Sequence, residues 1–164
     1  MATTALGDVP GTTSGELPSV GDKAPAFTLV ADDLSEFTLD DLSGRTVLNI
    51  FPSIGTGVCQ ASVRRFNELA GGLENTTVVD VSVDLPFAQP GFCAAEGLEN
   101  VKVGSAFRSS FGEDYGVRML DTKFQGLLAR AVVVLDEDGT VLHSQLVPNI
   151  GQEPDYDAAL ASLD

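Results

Sequence analysis

Two cysteines are the residues of this sequence best suited to chemistry. Cys59 ends the run Pro-Ser-Ile-Gly-Thr-Gly-Val-Cys at residues 52–59, where a predicted strand gives way to a predicted helix. Backbone N–H groups at a helix N-terminus carry partial positive charge, so a thiol placed among them ionises more readily than a free thiol. Cys93 is too distant in sequence for a Cys-X-X-Cys pair but is available as a resolving partner. This arrangement indicates a redox enzyme.

The residues around Cys59 would suit a peroxide substrate. A thiolate that attacks one peroxide oxygen needs hydrogen-bond donors that face the other oxygen, because that oxygen leaves with negative charge. The hydroxyl of Thr56 and the backbone N–H groups of 57–59 could be those donors, and Pro52 would restrict the turn and shield the sulfur from water. An alternative remains open at this point: Thr56 and Pro52 are ordinary turn residues, and Cys59 is a small buried apolar side chain.

Length and composition favour one folded domain over residues 1–164. The chain has a mass of 17.1 kDa, with 43% hydrophobic and 20% charged residues, which is close to the average of globular proteins. No apolar run approaches the roughly 20 residues that a membrane-spanning helix needs. The first residues lack the basic and then apolar pattern of an export signal. The sequence therefore predicts a cytoplasmic protein.

The charge balance excludes two classes of partner. Nine basic residues against 24 acidic ones give a net charge of −15, and this field repels nucleic-acid phosphates and anionic lipid headgroups. We therefore expect neither nucleic acid nor a membrane as a partner. Two cysteines are also too few for the disulfide scaffold of a small secreted protein, which favours a catalytic or redox-sensing use for them.

The first elements lead up to the turn before Cys59. Residues 1–20 are rich in Gly, Thr and Pro and predict a small hairpin with its turn near Pro10-Gly11, or a loose arm. Three predicted strands follow, the last of them apolar almost throughout, as a strand buried on both faces should be: 27–30, 36–39 and 46–51. Pro52 ends the third strand.

The rest of the chain alternates helix and strand. Apolar residues recur with a helical period from Val58 to a stop near residues 71–72, and Asp84 is predicted to cap a second helix. The other predicted elements are strands over 78–83, 131–135 and 140–146, and helices over 105–115 and 154–163. This order describes an α/β protein with a thioredoxin-like fold, a central mixed β-sheet with helices on both faces and an N-terminal β-hairpin.

Pro52, Thr56 and Cys59 match the Pro-X-X-X-Thr-X-X-Cys signature of peroxiredoxins. The similarity extends to four further segments, at residues 48–53, 84–89, 92–97 and 129–134. With them, the chain from about Gly21 to its C-terminus resembles the bacterial thiol peroxidases, a subfamily of atypical two-cysteine peroxiredoxins.

This resemblance implies a function and a set of site residues. Cys59 would be oxidised by hydrogen peroxide or an organic hydroperoxide to a sulfenic acid, which then condenses with Cys93 of the same subunit. The family's catalytic arginine falls on Arg130, whose charge would stabilise the thiolate and whose N–H fork suits the two oxygens of a peroxide. The resemblance also implies thioredoxin as reductant, a homodimer, a role in antioxidant defence, and no metal, haem or flavin.

The chain departs from the family pattern near the resolving cysteine. Pro90-Gly91 stands where many relatives carry a Lys or Ser followed by Arg, so we expect this helix to be kinked or to begin late. Our hypothesis is that the departure eases opening of the helix and removes a basic residue available for recognition by a reductase. Gly55 replaces a frequent Asp and is expected to loosen the catalytic turn.

Rival interpretations use the same residues differently. A dithiol oxidoreductase is disfavoured, because it would need two nearby cysteines on one turn. A redox-sensing thioredoxin-fold binding module would expose a surface for a partner on oxidation, and an inert scaffold would not react with peroxide. His143, the single histidine, is expected to be structural, and Phe87 and Phe92 are candidates for an apolar collar around the substrate.

Overall fold

The centre of the molecule is a seven-stranded sheet in a computed structural model that describes residues 1–164. The strands are β1 (Thr3–Leu6), β2 (Val9–Thr12), β3 (Thr28–Val30), β4 (Glu36–Thr38), β5 (Arg45–Ile50), β6 (Thr76–Ser82), β7 (Lys102–Ser105), β8 (Ala131–Leu135) and β9 (Val141–Leu146). The helices are α1 (Gly57–Ala70), α2 (Ala88–Glu96), α3 (Phe111–Asp114) and α4 (Tyr156–Ala161). None of these helices is long and apolar enough to cross a lipid bilayer.

The sheet is mixed, as predicted. Its strand order is β4-β3-β7-β6-β5-β8-β9, and β1 and β2 form a separate hairpin. The three central strands β5, β6 and β7 are parallel, whereas every other pair of neighbours is antiparallel. Parallel neighbours require crossover connections, and α1 and α2 supply them.

Successive side chains of β5 enter cores on opposite faces of the sheet. Val47 packs with Phe66 of α1 and Ala159 of α4. Leu48, its neighbour in the strand, packs on the other face with Phe111 of α3. This alternation follows from the two-residue period of a strand. It confirms that helices cover both faces.

The N-terminal hairpin is confirmed, but its predicted turn is wrong. Leu6 pairs with Val9, so the turn is Gly7-Asp8, and Pro10 lies within β2. Gly7 has a φ of +61°, the left-handed conformation that two-residue hairpin turns require. Pro10 needs no ladder donor at the edge of a two-stranded sheet, so a strand can contain it.

The hairpin is held against the segment that follows β9. Thr4 Oγ1 donates a hydrogen bond to the carbonyl of Val147 at 2.9 Å. The N–H of Ile150 donates to the carbonyl of Ala5 at 2.8 Å. The first strand therefore fixes the backbone over residues 147–150.

Two helix predictions need correction. The predicted helix over 105–115 is reduced to the single turn of α3, and β7 precedes it as a strand that was not predicted. β7 carries only one branched apolar side chain, Val103. Its neighbour Gly104 packs so closely that a Cβ there would lie 2.8 Å from Leu29 Cδ1. The helix expected after Asp84 begins only at Ala88, so Asp84 does not cap it.

Candidate active site

Cys59 lies in the first turn of α1, as predicted. Thr56 is the N-cap residue of α1, and its Oγ1 accepts a hydrogen bond from the backbone N–H of Cys59 at 3.4 Å. The same hydroxyl donates to the carbonyl of Ser53 at 3.2 Å. Thr56 thus orients the first turn of the helix, which is the usual work of a threonine at this position.

Arg130 contacts the sulfur of Cys59 directly. Its Nη2 lies 3.2 Å from Cys59 Sγ, and its Nε donates to the carbonyl of Ile150 at 2.8 Å. The Cys59 side chain is fully buried and Arg130 is 1% exposed. The remaining guanidinium nitrogen, Nη1, is buried and has no hydrogen-bond partner.

The charge of Arg130 has no carboxylate partner. The five ion pairs of the molecule are formed by other basic residues. A buried cation without a counter-ion is strongly unfavourable, and the sulfur of Cys59 is the group in contact with it that can carry negative charge. The contact therefore places fixed positive charge beside the sulfur of Cys59.

The turn between β5 and α1 is fixed by Asp84, a residue that sequence reasoning assigned to a helix cap. The carboxylate of Asp84 accepts hydrogen bonds from Ser53 Oγ at 2.7 Å, from the N–H of Ile54 at 2.8 Å and from Ser82 Oγ at 2.6 Å. Pro52, at the start of this turn, is buried. Because β5 and β6 are parallel, residues that follow them meet at one edge of the sheet, and that topology was the available signal for Asp84.

Cys93 lies on α2 and belongs to the same apolar cluster as Cys59. Both are free thiols, and Cys93 is 8% exposed. The cluster also contains Phe51, Ile54 and Val63, with Phe92 packed against it. Burial is the main cause that raises the pKa of the Cys93 thiol to about 11. In this arrangement Cys93 is a protonated and therefore unreactive thiol.

The structure also describes the surroundings of the remaining candidate residues. Phe92 packs under the guanidinium of Arg64, 5.2 Å from the ring centroid, whereas Phe87 is 65% exposed. Gly55 is exposed in the turn. His143 lies on β9, where burial lowers its pKa below the usual range.

Helix α2 begins late and ends in a well-formed cap. Pro90 is its third residue, where a backbone N–H has no intrahelical acceptor and a proline breaks no hydrogen bond. At the other end, Gly97 is left-handed, its N–H donates to the carbonyl of Ala94, and the N–H of Leu98 donates to that of Cys93 at 2.9 Å. The expectation of a late start is confirmed.

A Gly91→Ala variant is expected to slow disulfide formation between Cys59 and Cys93 about two- to fivefold. Gly91 is exposed, and a Cβ built there meets no atom within 4 Å, so alanine should stabilise α2 by about 0.5–1 kcal/mol. The rate is measured by quenching with a thiol-alkylating reagent after one equivalent of peroxide. Ala95→Gly, at an exposed position of the same helix, should accelerate the step; equal rates in all three proteins would contradict the idea that α2 must open.

Comparison with known proteins places this site in a family. The family model described as Redoxin matches residues 19–160. The curated thiol peroxidase of Corynebacterium glutamicum is 59% identical over 152 residues, which is 92% of each chain. The thiol peroxidase of Mycobacterium tuberculosis strain H37Rv is 58% identical over the same share of both chains.

Solved structures agree with the sequence relatives. A peroxiredoxin-like protein from Aquifex aeolicus superposes with a TM-score of 0.93 at 39% identity, over 99% of this chain and 96% of that chain. A thiol peroxidase from Chromobacterium violaceum shares the fold, with a TM-score of 0.87 at 23% identity over 98% and 94% of the two chains. The predicted thioredoxin-like fold and the predicted resemblance are confirmed. The chain belongs to the Redoxin family and, within it, groups with the thiol peroxidases.

Proposed function

We propose that this protein is a peroxidase that reduces hydrogen peroxide and organic hydroperoxides at Cys59. The observation that carries the proposal is the contact of Arg130 Nη2 with Cys59 Sγ at 3.2 Å, beside a buried Nη1 that lacks an acceptor. An unpaired buried donor is costly, and a peroxide oxygen bound next to the sulfur would satisfy it. The thiol peroxidase relatives support the same conclusion.

In the first step the thiolate of Cys59 attacks one oxygen of ROOH. The S–O bond forms as the O–O bond breaks, so sulfur is oxidised by two electrons to the sulfenic acid, which keeps the proton of the attacked OH group, and ROOH is reduced to ROH. The departing RO⁻ takes a proton from water. The guanidinium of Arg130 supplies fixed positive charge where the oxygen leaves, and Thr56 and Pro52 hold the turn around it.

In the second step the sulfur of Cys93 attacks the sulfenic acid of Cys59. The S–S bond forms as the S–O bond breaks, and the leaving hydroxide receives the proton of the Cys93 thiol, by way of solvent, and becomes water. Burial keeps Cys93 protonated while α2 is packed on the sheet. We therefore assign to α2 an opening movement that both hydrates Cys93 and brings it to Cys59.

The finer parts of the proposal concern partners and location. A dithiol protein of the thioredoxin class would reduce the disulfide by thiol exchange, and the cycle would serve antioxidant defence and redox balance in the cytoplasm. We further propose a homodimer, and a single domain over residues 1–164. The hydrogen bonds that join the N-terminal hairpin to residues 147–150 support the single domain.

Peptide mass spectrometry after one equivalent of peroxide tests the proposal. Wild type should yield a crosslink between the peptides of Cys59 and Cys93, and Cys93→Ser should yield a sulfenic or over-oxidised Cys59. Recovery of unmodified Cys59 from both proteins would end the peroxidase interpretation. Repeated turnover with thioredoxin, thioredoxin reductase and NADPH distinguishes an enzyme from a redox-sensing module, which would consume one equivalent and recover slowly.

A further inference from the structure

A carboxylic acid is completely buried between the two cysteine-bearing helices and the sheet. Asp80 lies in the middle of β6 and is 0% exposed. Its Oδ1 accepts a hydrogen bond from Asn49 Nδ2 at 3.0 Å, and the same amide group reaches Ser62 Oγ of α1 at 3.3 Å. Gln89 of α2, also buried, donates to the backbone carbonyl of Asp80 at 3.4 Å. The mechanism proposed above does not use this acid.

The hydrogen bonds around Asp80 do not balance if its side chain is ionised. Three buried acceptor oxygens have no donor: Asp80 Oδ2, Asn49 Oδ1 and Gln89 Oε1. An ionised carboxylate would leave negative charge on the buried Oδ2 with no donor to stabilise it, whereas a protonated carboxyl group carries no charge there. The hydrogen-bond pattern therefore points to a neutral Asp80.

No basic side chain compensates a negative charge at this position. β5 contributes the uncharged Asn49, α1 contributes Cys59, whose sulfur is in contact with Arg130, and α2 contributes the thiol of Cys93. The ion pair of Arg64 with Glu96 joins the two helices at the surface. On β7, Lys102 lies over the ring of Phe37. Burial accordingly raises the pKa of Asp80 to about 8.

Gln89 connects this acid to the movement of α2. Its side chain donates to Ser82 Oγ at 3.0 Å and to the backbone carbonyl of Asp80. Gln89 lies one helical turn before Cys93. If α2 leaves the sheet so that Cys93 can reach Cys59, Gln89 leaves with it and water reaches the carboxyl group. A hydrated carboxyl ionises in its ordinary range.

We propose that Asp80 carries a proton while the two cysteines are reduced and releases it when the Cys59–Cys93 disulfide forms. This inference rests on the disulfide of the proposed function. Reduction of the disulfide by an external dithiol then takes up one more proton from solvent than the same two-electron reaction would without the acid. Asp80 acts through the packing of α2 and is a positioning residue.

Linkage sets the size and sign of the effect. The reduced protein binds the extra proton between the ordinary carboxyl range, near pH 4, and about pH 8. Rising pH in this window therefore favours the disulfide. The equilibrium constant shifts about tenfold per pH unit, in addition to the shift that the protons of the thiols cause. For a two-electron couple this corresponds to about 30 mV per pH unit.

The reduction potential of the full-length protein, measured in dithiol redox buffers from pH 5 to pH 8, tests the inference. We expect the slope of wild type to exceed that of Asp80→Asn by about 30 mV per pH unit. Asp40→Asn, which removes an exposed carboxylate, should keep the wild-type slope. Identical slopes in wild type and Asp80→Asn would overturn the inference while leaving the peroxidase proposal intact.

A second measurement needs no variant and decides the matter if Asp80→Asn does not fold. The infrared spectrum of the reduced wild-type protein at pH 6 should contain the carbonyl band of a buried protonated carboxyl, and oxidation to the disulfide should remove it. Absence of the band, or its persistence after oxidation, contradicts the inference. Failure to form any disulfide contradicts this inference and the proposed function together, and the mass-spectrometric crosslink identifies that case.

Discussion

A Cys59→Ser variant should lose peroxide reduction by a factor on the order of 10⁴ or more, as expected when a nucleophile is removed from a preorganised site. A serine hydroxyl beside Arg130 does not ionise near neutral pH and cannot accept oxygen from ROOH. Cys93, the remaining thiol, is protonated by its burial. We therefore expect no loss of thiol when Cys59→Ser is treated with one equivalent of peroxide.

The matched variant is Cys93→Ser, which retains the first oxidation and loses the crosslink. Peroxide consumption is followed directly, together with titration of free thiols. Oxidation of Cys93 in Cys59→Ser at the wild-type rate would show that the chemistry begins at the other cysteine. No reaction in either variant or in wild type would favour the inert scaffold.

In an Arg130→Met variant, the rate of Cys59 oxidation should fall about 10²- to 10³-fold, the cost of removing a charged donor from a developing oxyanion. Methionine fills similar volume but supplies neither the charge nor the N–H groups that reach Sγ and the carbonyl of Ile150. The rate is measured by competition for peroxide at limiting concentration. The subsequent disulfide step should change little, because it does not require peroxide.

Two further variants make this expectation specific. Arg130→Lys keeps the charge without the planar fork and should fall between wild type and Arg130→Met. Arg65→Met removes an exposed arginine of α1 that pairs with Glu68, and it should react at the wild-type rate. A folded Arg130→Met with unchanged kinetics would sink the assigned role of the guanidinium.

All strands except β7, and the reactive turn, were predictable from local signals. The apolar run that becomes β5 and the helical period that becomes α1 leave one place for the turn, and Thr56 before the helix marks its N-cap. The burial of Arg130 was not predictable in this way, because an arginine before an apolar strand is usually exposed. Its place beside Cys59 depends on the antiparallel pairing of β5 with β8, a contact between distant parts of the chain.

The missed features also depend on distant contacts. β7 has few apolar side chains and becomes a strand because β6 pairs with it in parallel. Asp84 was assigned to a helix cap from its neighbours in sequence, yet its hydrogen bonds go to the turn after β5. Asp80 did carry a signal: it is the one charged residue of β6 and lies between Val79 and Val81, in a strand that must be buried on both faces.

The hairpin of β1 and β2 makes the amino-terminal segment part of the support of the redox centre. Hydrogen bonds from Thr4 and to Ala5 hold the backbone at Val147 and Ile150, and the carbonyl of Ile150 in turn accepts from Arg130 Nε. The Redoxin match begins only at residue 19. A protein trimmed to the matched range, or fused to a bulky tag at its first residue, would keep every motif residue. It would still disturb the backbone that positions the guanidinium of Arg130.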